Sequence, residues 1–283
     1  MKQIDLHVHS NVSDGTFTPK ELVLYAKEKG LSAFALTDHD TVRGISEAEE
    51  AAKGEDLELI PGVEISSEYR GGDIHILGLY IDYRQASFLD ALQKFIEARE
   101  KRNVEMAEKL SQYGFPVTME QMYAVYSKAV ITRAHFAKYM KAKGYVSSCE
   151  EAFEKYIGKN GPCYVPRTMI QPKEAIRLIR EAKGIPVLAH PLLYHLTLEE
   201  LEEMIKELKE WGLQGIEVFY SMNQEGDESL VASLAKKWGL VMTGGSDFHG
   251  STKPHIDLGV GRGDLCVWES LLEPLKKLKE ERR

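Results

Sequence analysis

The segment Asp5-Leu6-His7-Val8-His9-Ser10 closes a short apolar strand and sets two imidazoles one residue apart, with Asp14 following in the next loop. Side chains along an extended strand alternate faces, so His7 and His9 project to the same side. Two imidazoles and a nearby carboxylate suit a divalent transition metal ion. The same residue types return where later apolar strands end: Asp38-His39, Glu64, His75, His190 and Asp247-Phe248-His249. The pattern implies metal-dependent hydrolytic chemistry on a fold that gathers strand ends.

Outward from this strand, Thr18-Pro19-Lys20-Glu21 predicts a capping box: Thr18 at the N-cap, Pro19 at the first helical position and Glu21 at the third. That helix runs to Lys29 and stops at Gly30. A strand over Ala33–Thr37, a helix over Ile45–Ala52 and a strand over Leu57–Ile65 follow. Asp73–Tyr80 predicts a further strand, paired as a hairpin through Arg70-Gly71-Gly72. Phe88–Tyr113 has helical periodicity and many charges, which predicts a long exposed helix. From Phe115 to Val165 short helical pieces replace the strand-helix alternation, and the alternation resumes after Pro166. Helices at Lys173–Ala182, Leu198–Trp211 and Ser229–Trp238 then alternate with strands at Pro186–Ala189, Gly215–Phe219 and Leu240–Thr243. The charged end, Glu269–Arg283, reads as a solvated terminal helix.

Six or seven β-α units with polar residues at strand ends describe an α/β barrel, the architecture that builds sites at that face. The expected division is a barrel of residues 1–100 and 166–283, interrupted by a helical subdomain at 101–165. The 283 residues, 43% of them hydrophobic, are enough for such a core. A formal net charge of -8 argues against a surface that coats nucleic acid generally, yet bound metal ions can reverse the sign locally. Three widely spaced cysteines without a CxxC pair argue against a disulfide framework or a thiolate zinc site. With neither signal-peptide features nor an apolar run of membrane-spanning length, the expectation is a cytoplasmic protein.

Any one of the nine histidines, taken alone, reads as an ordinary core or surface residue. Six of them and three carboxylates converging on one barrel face do not. Asp40 reads as an N-cap or surface turn residue, and Asp38 as a partner that orients a ligand imidazole. Within the inserted segment, Thr132-Arg133-Ala134-His135 opens a helix, where guanidinium, imidazole and backbone N–H groups can meet an oxyanion.

Together, His7-Val8-His9, Thr37-Asp38-His39, Ala189-His190-Pro191 and Ser246-Asp247-Phe248-His249 resemble the PHP (polymerase and histidinol phosphatase) family. The resemblance covers Met1 to about Tyr83 and Ile185 to about Gly250. It implies a distorted (β/α)7 barrel of PHP type and three divalent ions, manganese, iron or zinc. One ion would be held by His7, His9, Glu64 and Asp247; a second by Glu64, His75 and His190; a third by Asp14, His39 and His249. Three divalent ions outweigh three carboxylates, so the pocket would attract phosphate, and an acidified metal-bound water would serve as nucleophile. The Thr132-Arg133-Ala134-His135-Phe136-Ala137 stretch is similar to an element of one subgroup, the nucleoside 3′,5′-bisphosphate phosphatases and the related 5′-to-3′ exoribonucleases. There the insertion grips the 5′-phosphate end of the substrate. That subgroup commonly reads His-Pro-Gly-Arg-Tyr where this chain has His190-Pro191-Leu192-Leu193-Tyr194, so Leu193 occupies the place of a phosphate-contacting arginine. His195 is a candidate substitute. The implied partner is a small phosphorylated substrate, with no membrane and no stable protein partner. A histidinol-phosphate phosphatase and a non-catalytic metal-stabilised module are the competing expectations.

Overall fold

The first strand, β1 (Ile4–Val8), is buried along its whole length. Its apolar Ile4 and Leu6 join the main hydrophobic core. The three steps from Asp5 to Val8 in β1 match only the two steps from Phe34 to Leu36 in its neighbour β2 (Ala33–Leu36). Such an irregularity re-aims the side chains around it, and His7 lies inside it. The computed structural model describes residues 2–127, 129–166 and 169–281.

Between these strands runs α1 (Pro19–Glu28), opened by the expected capping box of Thr18 and Glu21. After α2 (Ile45–Ala52), β3 (Glu58–Tyr69) turns through Arg70 and Gly71 into β4 (Gly72–Leu79). This hairpin makes β3 longer than expected: the antiparallel partner carries it on to Tyr69, so Glu64 lies mid-strand. Helix α3 (Ala86–Gln112) is buried at Leu92, Ile96, Arg99, Asn103, Met106 and Leu110. That spacing of three and four residues is an apolar-to-polar stripe along one side, so the helix is amphipathic where the sequence had implied exposure.

Helices α4 (Met119–Val125), α5 (Arg133–Ala142) and α6 (Cys149–Ala152) follow, the last running into a π-helical turn at Phe153–Ile157. The alternation then resumes with α7 (Pro172–Glu181), β5 (Ile185–Leu188), α8 (Leu198–Glu210), β6 (Gly215–Tyr220), α9 (Asp227–Trp238) and β7 (Val241–Gly245). Helix α10 (Leu272–Glu280) ends the described chain. It buries Leu272 and Leu275 in the same core as Ile4 and Leu6, so it packs rather than floats. Residues 282 and 283 of the expected terminal helix lie outside the described residues.

The seven strands are hydrogen-bonded in chain order, β1 to β7. All neighbours run parallel except β4, which is antiparallel to both β3 and β5. Just past β7 the sheet returns on itself: Val8 bridges Phe248, Asp247 N–H donates to His7 O at 2.8 Å, and His9 N–H donates to Phe248 O at 3.0 Å. Gly245 makes this approach possible, because a Cβ there would sit 2.4 Å from His7 Cβ. The outcome is a nearly closed, barrel-like seven-stranded sheet within a mixed α/β fold.

The chain divides into two compact units, Met1–Ala91 with Ile170–Arg283, and Leu92–Met169. The first division falls inside α3. The smaller unit has its own core, in which Met106, Leu110, Phe136, Met140 and Ile157 are buried together. Among the described residues, no helix is long and apolar enough to cross a membrane.

Candidate metal centre

His7 and His9 flank the end of β1, Asp14 lies in the following loop, and His39 lies three residues past β2. Glu64 comes from β3, His75 from β4, His190 from the turn after β5, and Asp247 and His249 from the turn after β7. Closure of the sheet brings all nine together in overlapping groups: His9, Asp14, His39 and His249; His7, Glu64 and His190; His7, His9 and Asp247; His39, Glu64 and His75. The shared members make one continuous cluster.

Glu64 sits at its middle. Its Oε2 lies 3.0 Å from His39 Nδ1, 3.1 Å from His9 Nε2 and 3.3 Å from His7 Nε2. Its Oε1 lies 2.7 Å from His75 Nδ1 and 3.1 Å from His190 Nε2. Asp247 Oδ1 approaches His249 Nδ1 at 3.3 Å and His9 Nε2 at 3.4 Å. Asp14 Oδ1 is 3.2 Å from His249 Nε2, and its Oδ2 is 3.8 Å from His39 Nε2.

Several of these atoms are buried with no hydrogen-bond partner: His7 Nε2, His9 Nε2, His39 Nδ1 and Glu64 Oε2. Leaving such atoms unpaired is costly, and a native structure rarely does so without a reason. Neutral imidazole nitrogens converging on a carboxylate form a donor set that suits divalent transition metal ions. The residues fit divalent ions.

Electrostatics support that fit. Burial opposes charge on Asp14, Glu64 and Asp247, yet their neighbours hold all three well below the ordinary carboxylate range: the His39 imidazole first for Asp14 and Glu64, the Lys253 ammonium first for Asp247. They remain anionic at neutral pH. Burial likewise opposes protonation of His9, but Asp247 and Glu64 overcome it and raise its pKa to about 9. Burial prevails at His39, which falls to about 3. A metal ion entering the cluster must therefore displace protons from His9.

The supports of this cluster were largely hidden in the sequence. Glu217, buried on β6, puts Oε1 3.0 Å from His7 Nδ1, and its Oε2 accepts the His190 backbone N–H at 2.8 Å. One carboxylate thus fixes two of the nine. Asp5 is fully buried, and it accepts from His7 N–H at 3.2 Å, Ser246 N–H at 2.8 Å, Gly259 N–H at 2.9 Å and the Ser246 hydroxyl. Burial pushes its pKa up to about 6 although these bonds oppose the rise. The Tyr220 hydroxyl donates to Asp247 Oδ2 at 2.8 Å, and the Tyr194 hydroxyl to Ala189 O at 2.7 Å. A polar residue inside an apolar strand was the one available signal for Asp5 and Glu217.

Asp38 holds the loop that follows His9. It accepts from Ser10 N–H at 2.8 Å, Ser10 Oγ at 2.6 Å and Ser13 Oγ at 2.5 Å. Only through Ser13, 3.5 Å from His9 Nδ1, does it approach an imidazole. Asp40 is no surface turn residue: it is fully buried, adopts φ of 54° and accepts Ser66 N–H at 2.9 Å. His190 and Asp247 also adopt positive φ, 25° and 57°. Backbone strain of this kind persists where surrounding bonds over-determine it and marks functional turns.

The remaining candidates are not members of these groups. Leu193 is 40% exposed in the 3₁₀ turn Pro191–Tyr194, and His195 is an exposed left-handed residue that ends it. In the smaller unit, Thr132 caps α5. Its Oγ1 accepts Ala134 N–H at 3.2 Å, and its own N–H donates to His135 Nδ1 at 3.0 Å. Two N–H groups expected to face an anion are thereby used in the cap. His135 packs against Tyr126 with ring centroids 4.5 Å apart, and the Arg133 guanidinium lies over the Tyr164 ring at 5.6 Å.

A barrel-like sheet whose strand ends gather a buried histidine-carboxylate cluster defines a metal-dependent hydrolase. Residues 5–164 match the PHP domain family, and the chain belongs to it. It is 40% identical over 248 residues to a 5′-3′ exoribonuclease of Haemophilus influenzae, covering 88% of this chain and 90% of that one. It is 33% identical over 260 residues to a 3′,5′-nucleoside bisphosphate phosphatase of Chromobacterium violaceum, covering 92% and 91%. A Bifidobacterium adolescentis structure, described as a candidate metal-dependent phosphoesterase, superimposes with a TM-score of 0.88 at 29% identity over 98% of this chain and 96% of that one. The protein is a phosphoric ester hydrolase of PHP type, and the histidinol-phosphate and non-catalytic readings are not favoured.

Proposed function

We propose that the protein hydrolyses the 3′-phosphate of nucleoside 3′,5′-bisphosphates. The observation that carries the proposal is the convergence of unpaired His7, His9 and His39 nitrogens on Glu64, in a chain 33% identical to an enzyme of that name. In this reading His7, His9, Glu64 and Asp247 would hold one divalent ion, Glu64, His75 and His190 a second, and Asp14, His39 and His249 a third. When bound, such ions supply Lewis acidity at phosphoryl oxygens and acidify a water for attack. A carboxylate offers two oxygens where a neutral imidazole offers one lone pair, so Glu64 would serve two of these sites. Glu217 and Tyr220 hold His7 and Asp247 in register, so little reorganisation is needed as charge develops on the phosphoryl group.

The smaller unit is the substrate-capping element. Residues 92–169 carry thirteen Lys and Arg against eight Asp and Glu, while the rest of the chain carries twenty-three against thirty-six. That basic bias, with Arg133 on α5, favours contact with a second phosphate. The 40% identity to an exoribonuclease favours a second activity of the same site, removal of nucleotides from the 5′ end of short 5′-phosphorylated RNA.

Phosphate release from adenosine 3′,5′-bisphosphate, AMP and histidinol phosphate tests the proposal, with manganese and with chelator. Chelator-sensitive release from the bisphosphate, with Arg133→Ala raising KM far more than it lowers kcat, is the expected result. Preference for histidinol phosphate refutes it.

A further inference from the structure

Lys253 brings an ammonium group onto the metal cluster. It follows the 3₁₀ turn Gly250–Thr252, four residues beyond His249. Its Nζ lies 2.6 Å from Asp247 Oδ2, the same oxygen that accepts from Tyr220. The other oxygen, Oδ1, faces the imidazoles of His249 and His9. Asp247 is thus divided, one oxygen turned to the cluster and the other to two donors.

Bracing a carboxylate needs no second charge. The neutral Tyr220 hydroxyl already fixes Oδ2, and a charged amine brought against a buried cluster is costly unless its charge is used. An ammonium has three N–H donors, and the ion pair with Asp247 occupies one. The Lys253 side chain stays 34% exposed beside an Asp247 that is 8% exposed, so the residue reaches from solvent to the cluster and carries two donors beyond the Asp247 pair.

The turn is anchored as a binding element would be. Thr252 Oγ1 donates to the Asp14 carbonyl at 3.0 Å, Ser251 N–H donates to Thr16 Oγ1 at 3.0 Å, and Lys253 N–H donates to Gly250 O at 3.1 Å. Lys253 is therefore tied both to the loop that carries Asp14 and to Asp247 itself. Meanwhile the loop after His190 offers Leu192 and Leu193, with no cation between His190 and Tyr194.

We propose that Lys253 is a substrate-binding residue, contacting a non-bridging oxygen of the phosphoryl group held at the cluster. The proposal rests on the phosphoesterase reading and adds the cation that meets the scissile phosphate. Lys253→Met and Lys253→Arg test it, with Tyr220→Phe as the control that removes the other donor to Asp247 Oδ2. Three quantities are read: KM and kcat for adenosine 3′,5′-bisphosphate, the inhibition constant of inorganic phosphate, and metal content of the purified protein. Loss of a charge-assisted hydrogen bond to phosphate raises KM and the phosphate inhibition constant together by about 10- to 100-fold in Lys253→Met. Metal content stays at the wild-type level, and Lys253→Arg recovers much of the loss. Tyr220→Phe, which keeps the Lys253 ammonium, raises the phosphate inhibition constant far less than Lys253→Met does. An unchanged phosphate inhibition constant in Lys253→Met overturns the proposal, as does activity lost in proportion to metal, because Lys253 would then only brace Asp247. Wild-type protein that retains metal but neither hydrolyses nor binds phosphate overturns the phosphoesterase reading itself, and this proposal with it.

Discussion

Glu217→Gln removes one charge and almost no volume from beneath the cluster, so its effect isolates what that charge does. The carboxylate makes two contacts, to His7 Nδ1 at 3.0 Å and to the His190 backbone N–H at 2.8 Å. Both partners are donors when His7 presents its other nitrogen to a metal. A carboxylate accepts from both; a glutamine has one carbonyl oxygen and an NH2 group. Whichever way the amide turns, one bond is lost and two donors face each other in a buried site. A hydrogen bond to a charged group contributes about 1.5–3 kcal/mol, and residues supporting metal ligands typically govern about 10- to 100-fold in metal affinity. Competition with a fluorescent chelator measures that affinity directly. The expected result is a 10- to 100-fold rise in the dissociation constant of the most weakly held ion, with kcat recovered in part at saturating metal. A Glu217→Gln protein with metal affinity and kcat within twofold of wild type would refute the claim that this carboxylate orients His7.

Asp14→Ala, His39→Ala and Asp247→Ala should each depress turnover by more than the roughly hundredfold that a supporting residue costs. Circular dichroism should show the fold retained, whereas loss of the fold along with activity would move these residues from chemistry to structure. Metal-free protein should be most heat-stable near pH 6.5 and weaken on either side. His9, raised to about 9, contributes stability that is present below its unfolded value of about 6.5 and lost as pH rises through 9. His39, lowered to about 3, contributes stability present above 6.5 and lost as pH falls, and the depressed carboxylates Asp14, Glu64 and Asp247 add their losses below about pH 4. Asp5, raised to about 6, works against this acid-side loss without reversing it. A thermal midpoint that climbs steadily from pH 6.5 to 9 in chelator-stripped protein would contradict the raised value at His9.

Local chemistry made much of this protein legible before any fold was known. The Thr18-Pro19-Glu21 capping box, the helix at Ile45–Ala52 and the Arg70-Gly71 hairpin are encoded by neighbours in the chain, and they form where the sequence places them. The nine cluster residues were legible for a related reason: histidine and carboxylate at the ends of apolar strands are anomalous wherever the fold leads. Asp5 and Glu217 were anomalous too, but a lone acid inside a strand does not reveal which ring it will meet 210 residues away. The misreadings of Asp40 and α10 share that cause. A polar turn residue and a charged terminal helix look solvated until the tertiary structure packs Asp40 under the Ser66 amide and Leu275 into the barrel core. The sequence by itself determined the elements, their order and the chemical character of the site, because those depend on residue type and on spacings of a few residues. Only the tertiary structure decided which imidazole and carboxylate atoms converge, which carboxylates stand behind them and where Lys253 reaches, because sheet closure at Val8 and Phe248 sets those distances and no local propensity encodes it.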